Sequence, residues 1–391
     1  MKISFIQPSR NNLKYLKWSY ESIRKNQGDH EVEICVADDA SSDGTWEWCI
    51  DRMIHDPNFK AIRNEGPKRL GHTILYDRLV NEVATKNIAM IYHADMYLCP
   101  GALDAIEEEI KPGVIVSLTR IEPPLHPDGP EKILRDFGVE PEEFNEKGLL
   151  DFLSSRVPNN DTTEGIFAPW AFYRKDFQEI GGHDPLYAPQ SKEDSDIFNR
   201  FQLNGIKFVQ TWHGCVYHMT CRGSRRNTKD KAVNIYQDSP EWLAQNQRST
   251  RNFIRKWGHF VKHDPLMKPI IPPKYDIGFI VKNSQDVQLI EALEPWCTTI
   301  YVDASRENYI ELEQKNTLYD LSEKVRSYDS EKINEILINI DGKLFNQQDF
   351  QTVQQLSEII KDSGQVGEFE LGNLFINIIE MNEYQDDLIK L

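Results

Sequence analysis

Two short stretches carry residue types that can bind a divalent ion or take up a proton. In "IYHADMYL" (residues 91–98), His93 and Asp95 stand two apart. On a strand that spacing points both side chains to one side, where an imidazole and a carboxylate can share a divalent ion. Carboxylate suits magnesium or manganese, and imidazole tilts the choice to manganese or another transition ion. The alternative is a histidine hydrogen-bonded inside a cleft with no metal. In "SKEDSDIFNRFQLNG" (residues 191–205), Glu193 and Asp194 open a helix that Gly205 stops. Helical spacing aligns Asp194 with Ile197, Phe198 and Phe201. It aligns Glu193 and Asp196 with Arg200, which reads as a more solvated face. Burial raises a carboxyl pKa, which suits Asp194 as a general base, with Glu193 positioning the acceptor. Ser191, three residues ahead of Asp194, also allows a plain capping box.

Regular elements must hold these groups in place. "KISFIQP" alternates Ile3 and Phe5 and stops at Pro8, as a strand does. A helix follows with Leu13, Leu16, Tyr20 and Ile23 on one face, and then the strand "EVEICVADD". Strand, helix and strand in so short a span imply a parallel pair with a crossover helix. The pattern repeats with "FKAIRN", a helix over 72–85 and a longer strand "NIAMIYHAD". The fold class is therefore α/β, an open and mostly parallel sheet flanked by helices. Ligands of such sheets bind beyond the carboxyl ends of the strands, which here carry "PSRNN", "DDASSDGT" and "HADM". A carboxylate at one such end can instead be the cap of the next helix. Prolines at 123, 124, 127 and 130 break the pattern and mark an insertion or lid. Two further strands, "KFVQTW" and "GCVYH", precede a basic polar loop at 222–231.

These residues together resemble the family 2 glycosyltransferases of the GT-A fold. The resemblance rests on "FIQPSRNN…EVEICVADDASSDGT", on "HADM" where that family carries D-x-D, and on the later "GGHDPLYAPQSKEDSDIFNRFQLNG". It covers roughly residues 1–220. It implies a nucleotide-sugar donor whose nucleoside contacts Pro8, Ser9, Asn11, Asp38 and Asp39. It implies a divalent metal, Mn2+ or Mg2+, on Asp95 of the His93-Ala94-Asp95 motif, completed by His218. It also implies Asp194 as catalytic base, and a uridine diphosphate donor as the commonest case. The sequence departs from the family in having His93 at the first D-x-D position. His72 and Thr73 stand where Ala-Arg-Asn is usual, leaving Lys68, Arg69 or His72 to reach the donor phosphates. Arg222, Arg225 or Arg226 of the basic loop can pair with phosphate oxygens, or the loop is a solvated surface. Trp170 either stacks on an acceptor sugar or packs in the core.

A length of 391 residues suggests two domains. We expect a catalytic domain over 1–262, a proline-rich linker over 263–275 and an accessory α/β domain over 276–391 built on "DIGFIVK", "TTIYVDAS" and "NEILINIDG". The last of these holds 23 acidic and 9 basic side chains, so −14 of the net charge of −17 resides there. Nucleic acid is excluded as a partner of the whole surface by that charge. The accessory domain shows no glycine-rich phosphate loop, and self-association through it is one expected role. No internal repeat is visible. Six scattered cysteines without a C-x-x-C pair, a start too quickly polar for a signal peptide and no membrane-length apolar run predict a cytoplasmic protein. The function expected is metal-dependent, inverting transfer of a sugar to a hydroxyl acceptor, a glycan. The alternatives are a non-catalytic nucleotide-sugar or glycan binding module, or a nucleotidyltransferase. The last is disfavoured because "QPSRNN" lacks the glycine-rich loop that chemistry uses.

Overall fold

The computed structural model describes residues 1–220, 238–284 and 286–391. Packing divides the chain into two units, one of Met1–Ala244, His263–Ile270 and Lys390–Leu391, the other of Gln245–Lys262 and Ile271–Ile389.

The first unit is built on a ten-stranded sheet: β1 (Lys2–Ser9), β2 (Glu31–Asp39), β3 (Phe59–Asn64), β4 (Ile88–Ile91), β5 (Met96–Leu98), β6 (Val114–Glu122), β7 (Lys132–Leu134), β8 (Thr162–Thr163), β9 (Trp170–Tyr173) and β10 (Lys207–His218). The main path runs β3-β2-β1-β4-β9-β6-β10-β5. β1 pairs in parallel with β2 and β4, and β6 with β10, while β9 and β5 run antiparallel to their neighbours. The expected open, mostly parallel sheet is thus present, with helices α1 (Leu13–Asn26), α2 (Thr45–His55) and α3 (Gly71–Arg78) as the crossovers among its first four strands. β1 and β2 are buried along all but their first residue, so their polar members Ser4, Gln7 and Glu33 are buried beside the apolar ones. Each buried Val or Ile there contributes about 1.5–3 kcal/mol of transfer free energy. α1 buries Leu16 and Ile23 as the periodicity predicts, joined by Tyr15, Ser19 and Ser22; Leu13 and Tyr20 stay half-buried. Four more helices follow: α4 (Ala102–Glu109), α5 (Glu146–Ser155), α6 (Arg174–Glu179) and α7 (Glu193–Leu203).

The two strands expected before the basic loop are one. β10 runs from Lys207 to His218 with a register shift between Thr211 and Cys215, so the break in its apolar pattern is a bulge. The stretch after Arg120 supplies β7, which pairs in parallel with the end of β6, and α5, which buries Leu149. Leu149 joins a small apolar cluster with Tyr97, Phe137 and Tyr217.

In the second unit the sheet order is β13-β12-β11-β14-β16-β15, from β11 (Ile277–Lys282), β12 (Thr299–Val302), β13 (Val325–Ser327), β14 (Ile336–Asp341), β15 (Gly367–Leu371) and β16 (Leu374–Ile378). Three of these strands were legible in the sequence; β13, β15 and β16 were not. The first four are parallel, and β16 lies antiparallel beside β14. Both units therefore set four parallel strands in the order third, second, first, fourth, followed by an antiparallel strand. The repeat that the sequence does not show exists as topology. Helix α8 (Pro240–Trp257) crosses the division: its Ile254 belongs to the core of the second unit, and its Arg255 is buried with Glu294 and Glu313 there. The division so drawn differs from the expected border at residue 262, and it splits the proline-rich stretch after Ile270.

Candidate active site

A cavity of about 1370 Å³ opens where β1, β4, β6 and β10 of the first unit end. Its wall includes Pro8, Ser9 and Asn11 after β1, His93, Ala94 and Asp95 after β4, Arg120 and Glu122 at the end of β6, and His218 and Thr220 at the end of β10. Glu193 and Asp194 face it from the start of α7, and Arg69 and His72 from the start of α3.

His93 and Asp95 do not lie on a strand. β4 ends at Ile91, and both residues occupy the turn into β5. The β5–β10 ladder sets His218 opposite Met96, and Met219 N–H donates to the Asp95 carbonyl at 3.0 Å. A histidine 123 positions later in the chain is thereby seated beside the turn. His93, Asp95 and His218 each offer one donor atom, and these atoms lie within 4.8 Å of one another. That is near the spread spanned by ligands on one ion with bonds of about 2.1 Å. His218 donates Nδ1–H to Glu122 Oε1 at 2.9 Å, which leaves Nε2 turned to Asp95 Oδ1 at 3.5 Å. Two imidazole nitrogens and one carboxylate oxygen suit a manganese-like ion.

The electrostatics agree with that donor set. Burial opposes ionisation of Asp95, but His218 and then His93 outweigh it and hold the carboxyl down to about 2. Burial, reinforced by His218, pushes His93 down to about 4, so its ring is neutral and free to ligate at neutral pH. Burial alone would lower His218 as well, yet Asp95 and Glu122 raise it to about 9. The site thus attracts positive charge between Asp95 and His218.

On the donor side, Ser9 Oγ is buried and has no hydrogen-bond partner among the described residues. Asn11, with φ of 50°, turns its Oδ1 to accept from Ser42 N–H at 2.8 Å. Asp38 and Asp39 do not reach the cavity wall. Asp38 is wholly buried, accepts from Ser41 N–H at 3.1 Å and sits 3.2 Å from Arg63. Asp39 accepts from Asn64, from Leu70 N–H and from Gly71 N–H, so it caps the start of α3. Gly71 has φ of 78°, and a Cβ there would stand 2.1 Å from the Pro189 carbonyl oxygen. Burial and then Arg69 push His72 down to about 3, leaving a neutral ring in the wall. Lys68 is exposed and lies outside the wall.

The acid pair at α7 departs from the expected faces. Asp196 and Arg200, expected on a solvated side, are completely buried and ion-paired, and Glu193 is buried too. Asp194 is the half-buried member, facing the cavity. Lys192, with φ of 71°, takes the N-cap position that the capping-box reading gives to Ser191. Burial raises the proton affinity of both acids, and repulsion from Asp194 raises Glu193 further. His183, held by Asp77 at 2.7 Å, opposes the rise on Asp194. Glu193 Oε2 is buried without a hydrogen-bond partner among the described residues.

Trp170 is not available to an acceptor: it is fully buried on β9, with its ring against Phe172, Phe198 and Phe201. Phe167, three residues earlier, lines the cavity instead, with the Arg120 guanidinium 4.0 Å from its ring centre. Arg222, Arg225 and Arg226 lie outside the described residues. Sequence reasoning missed Arg120, Glu122 and Lys132. The apolar run "VIVSLTRIE" ends in two of them, so reading its carboxyl end as the other strands were read would have found them.

Residues 4–181 match the family model described as glycosyl transferase family 2. This segment is a family 2 glycosyltransferase domain. The sheet order of this unit is the open, mostly parallel α/β arrangement that the resemblance implies. Asp194 and His218 lie beyond the matched residues, in the part of the same unit that completes the cavity. Among solved structures, the chain is similar to GalNAc-T7, crystallised with UDP, GalNAc and Mn2+, at 14% identity and a TM-score of 0.47, over 66% of this chain and 48% of that one. It is also similar to the mannosyltransferase PcManGT from Pyrobaculum calidifontis in complex with GDP-Man and Mn2+, at 16% identity and a TM-score of 0.44, over 68% of this chain and 66% of that one. A third likeness is to TarS of S. aureus, at 16% identity and a TM-score of 0.42, over 65% of this chain and 40% of that one. The chain spans about half the length of the first of these (48%). No curated protein matches the chain. Among the described residues, no helix is long and apolar enough to cross a membrane.

Proposed function

We propose that the chain is a metal-dependent, inverting glycosyltransferase that moves a sugar from a nucleotide-sugar donor, a UDP-sugar, to a hydroxyl of a glycan acceptor. The observation that carries this reading is one cavity, in the unit that contains the family 2 match, that joins the His93–Asp95–His218 donor set to the Glu193–Asp194 acid pair. The two groups divide the labour of a displacement at a sugar carbon.

Asp95, His93 and His218 would hold the divalent ion, which when bound neutralises charge on the departing diphosphate. Pro8, Ser9 and Asn11 receive the nucleoside, with the free Ser9 hydroxyl as a hydrogen-bonding group. Asp38 and Asp39 act from beneath the wall: Asp39 fixes the start of α3, and Asp38 fixes the turn at Ser41. Arg69 and His72 then present a cation and a neutral imidazole to the donor phosphates. Asp194 takes the proton of the acceptor hydroxyl as the oxygen attacks the anomeric carbon from the face opposite the diphosphate. Glu193 orients that hydroxyl through its unpartnered oxygen. Phe167 replaces Trp170 as the aromatic surface on the acceptor side. A cytoplasmic site of action accords with five buried, unpaired cysteines among the described residues.

The test is turnover of UDP-sugars by the full chain with Mn2+ and after chelation. Release of uridine diphosphate that needs both the ion and an acceptor supports the reading. Nucleotide-sugar binding without any turnover across donors and glycan acceptors would make the protein a binding module instead.

A further inference from the structure

Glu122 stands behind His218 and is held there by charge. It is 1% exposed. Its Oε1 accepts from His218 Nδ1–H at 2.9 Å and from Arg120 Nη1–H at 2.9 Å, and its Oε2 accepts from Lys132 Nζ–H at 3.2 Å. Lys132 opens β7, whose three residues pair with the last three of β6, Arg120 with Lys132 and Glu122 with Leu134. The segment that reads in sequence as an insertion therefore contributes a strand whose first residue clamps the carboxylate behind the histidine.

A carboxylate oxygen that accepts from Nδ1 fixes both the tautomer and the ring direction of an imidazole. With the Nδ1 proton held by Glu122, Nε2, which faces Asp95 and the cavity, is the nitrogen that would give up its proton to an ion. Without that carboxylate the ring is free to swing or to present the wrong nitrogen. We propose that Glu122, clamped by Lys132 of β7, is a positioning residue for the divalent ion and acts through His218. The inference rests on the metal reading given above. Groups behind a ligating histidine are worth about 10–100-fold in metal affinity.

The experiment measures Mn2+ affinity of the full chain from the electron paramagnetic resonance signal of free Mn2+. The proteins are the wild type, Glu122→Gln, His218→Ala and the double variant. Glu122→Gln is expected to weaken Mn2+ binding about 10-fold or more and to add nothing in the His218→Ala background. If His218→Ala leaves the affinity unchanged, the metal reading itself fails. If His218→Ala weakens binding but Glu122→Gln stays within about twofold of wild type, the positioning role fails and the metal reading stands. Equal losses from Glu122→Gln with and without His218 also overturn it, since the effect would then run through the fold. Where Glu122→Gln does not fold, Lys132→Met takes its place in the same cycle, with the same two outcomes.

Discussion

Arg200 and Asp196 form an ion pair one turn apart in α7, Nε to Oδ2 at 2.8 Å, with both side chains fully buried. Arg200 also donates to the carbonyls of Ile180 (2.9 Å) and Gly182, while the Tyr187 hydroxyl donates to Asp196 at 3.3 Å. The helix that presents Glu193 and Asp194 to the cavity is thus bolted to the glycine turn before it. Arg200→Met leaves Asp196 as an uncompensated buried charge, a loss of about 3–5 kcal/mol. Urea unfolding followed by tryptophan fluorescence is expected to show the midpoint falling accordingly; an unchanged midpoint would mean the pair is not buried as described.

Asp194→Asn keeps the shape of the carboxyl and removes its basicity. Transfer is expected to fall by about 10²–10⁴-fold, the usual worth of a positioned general base. Uridine diphosphate is expected to raise the melting temperatures of this variant and of the wild type alike, because the nucleotide contacts proposed above lie elsewhere in the cavity. Full transfer activity in the variant would remove Asp194 from the mechanism.

Glu193 links stability to pH. Its folded-state pKa is raised, by burial first and then by Asp194, from the ordinary 4.5 to about 8. Across that window the folded chain holds a proton that the unfolded chain has released, so stability falls as pH rises. Below the window both states are protonated and the effect vanishes. Glu193→Gln carries no proton to lose, so its melting temperature is expected to decline less than that of the wild type between about pH 5 and pH 8. Parallel declines in a thermal melt series would contradict the shift.

Gly71→Ala places a methyl against Pro189 at a backbone angle that disfavours side chains. A loss of about 1–3 kcal/mol is expected from the strain. Because Gly71 N–H is bonded to Asp39 and His72 follows in the cavity wall, nucleotide binding is expected to weaken as well. Calorimetric melting and titration with uridine diphosphate read the two effects separately.

Much of this was legible from local patterns. The α/β class, the first four strands, the helix beginning at Glu193 and the candidate groups at three strand ends follow from hydrophobic periodicity and from where polar residues interrupt it. Those signals are set by neighbours in sequence, and the structure honours them. Trp170, Asp38 and Asp39 show the limit. An aromatic or an acid announces its chemistry in sequence but not its direction, and these three turn into the core, into an ion pair and into a helix cap. Asp196 and Arg200 were misplaced for the same reason, because a charged stripe on a helix looks the same whether water or a partner covers it.

What the sequence by itself determined is the elements and the inventory of reactive groups, because a strand or helix is chosen by residues a few positions apart. Only the tertiary structure decided which of those groups meet. His218 reaches Asp95 through a ladder between β5 and β10, and Lys132 reaches Glu122 through β7, contacts between segments that no local pattern relates. The twin strand orders of the two units belong to the same class, since topology survives where the residues that build it share no visible repeat.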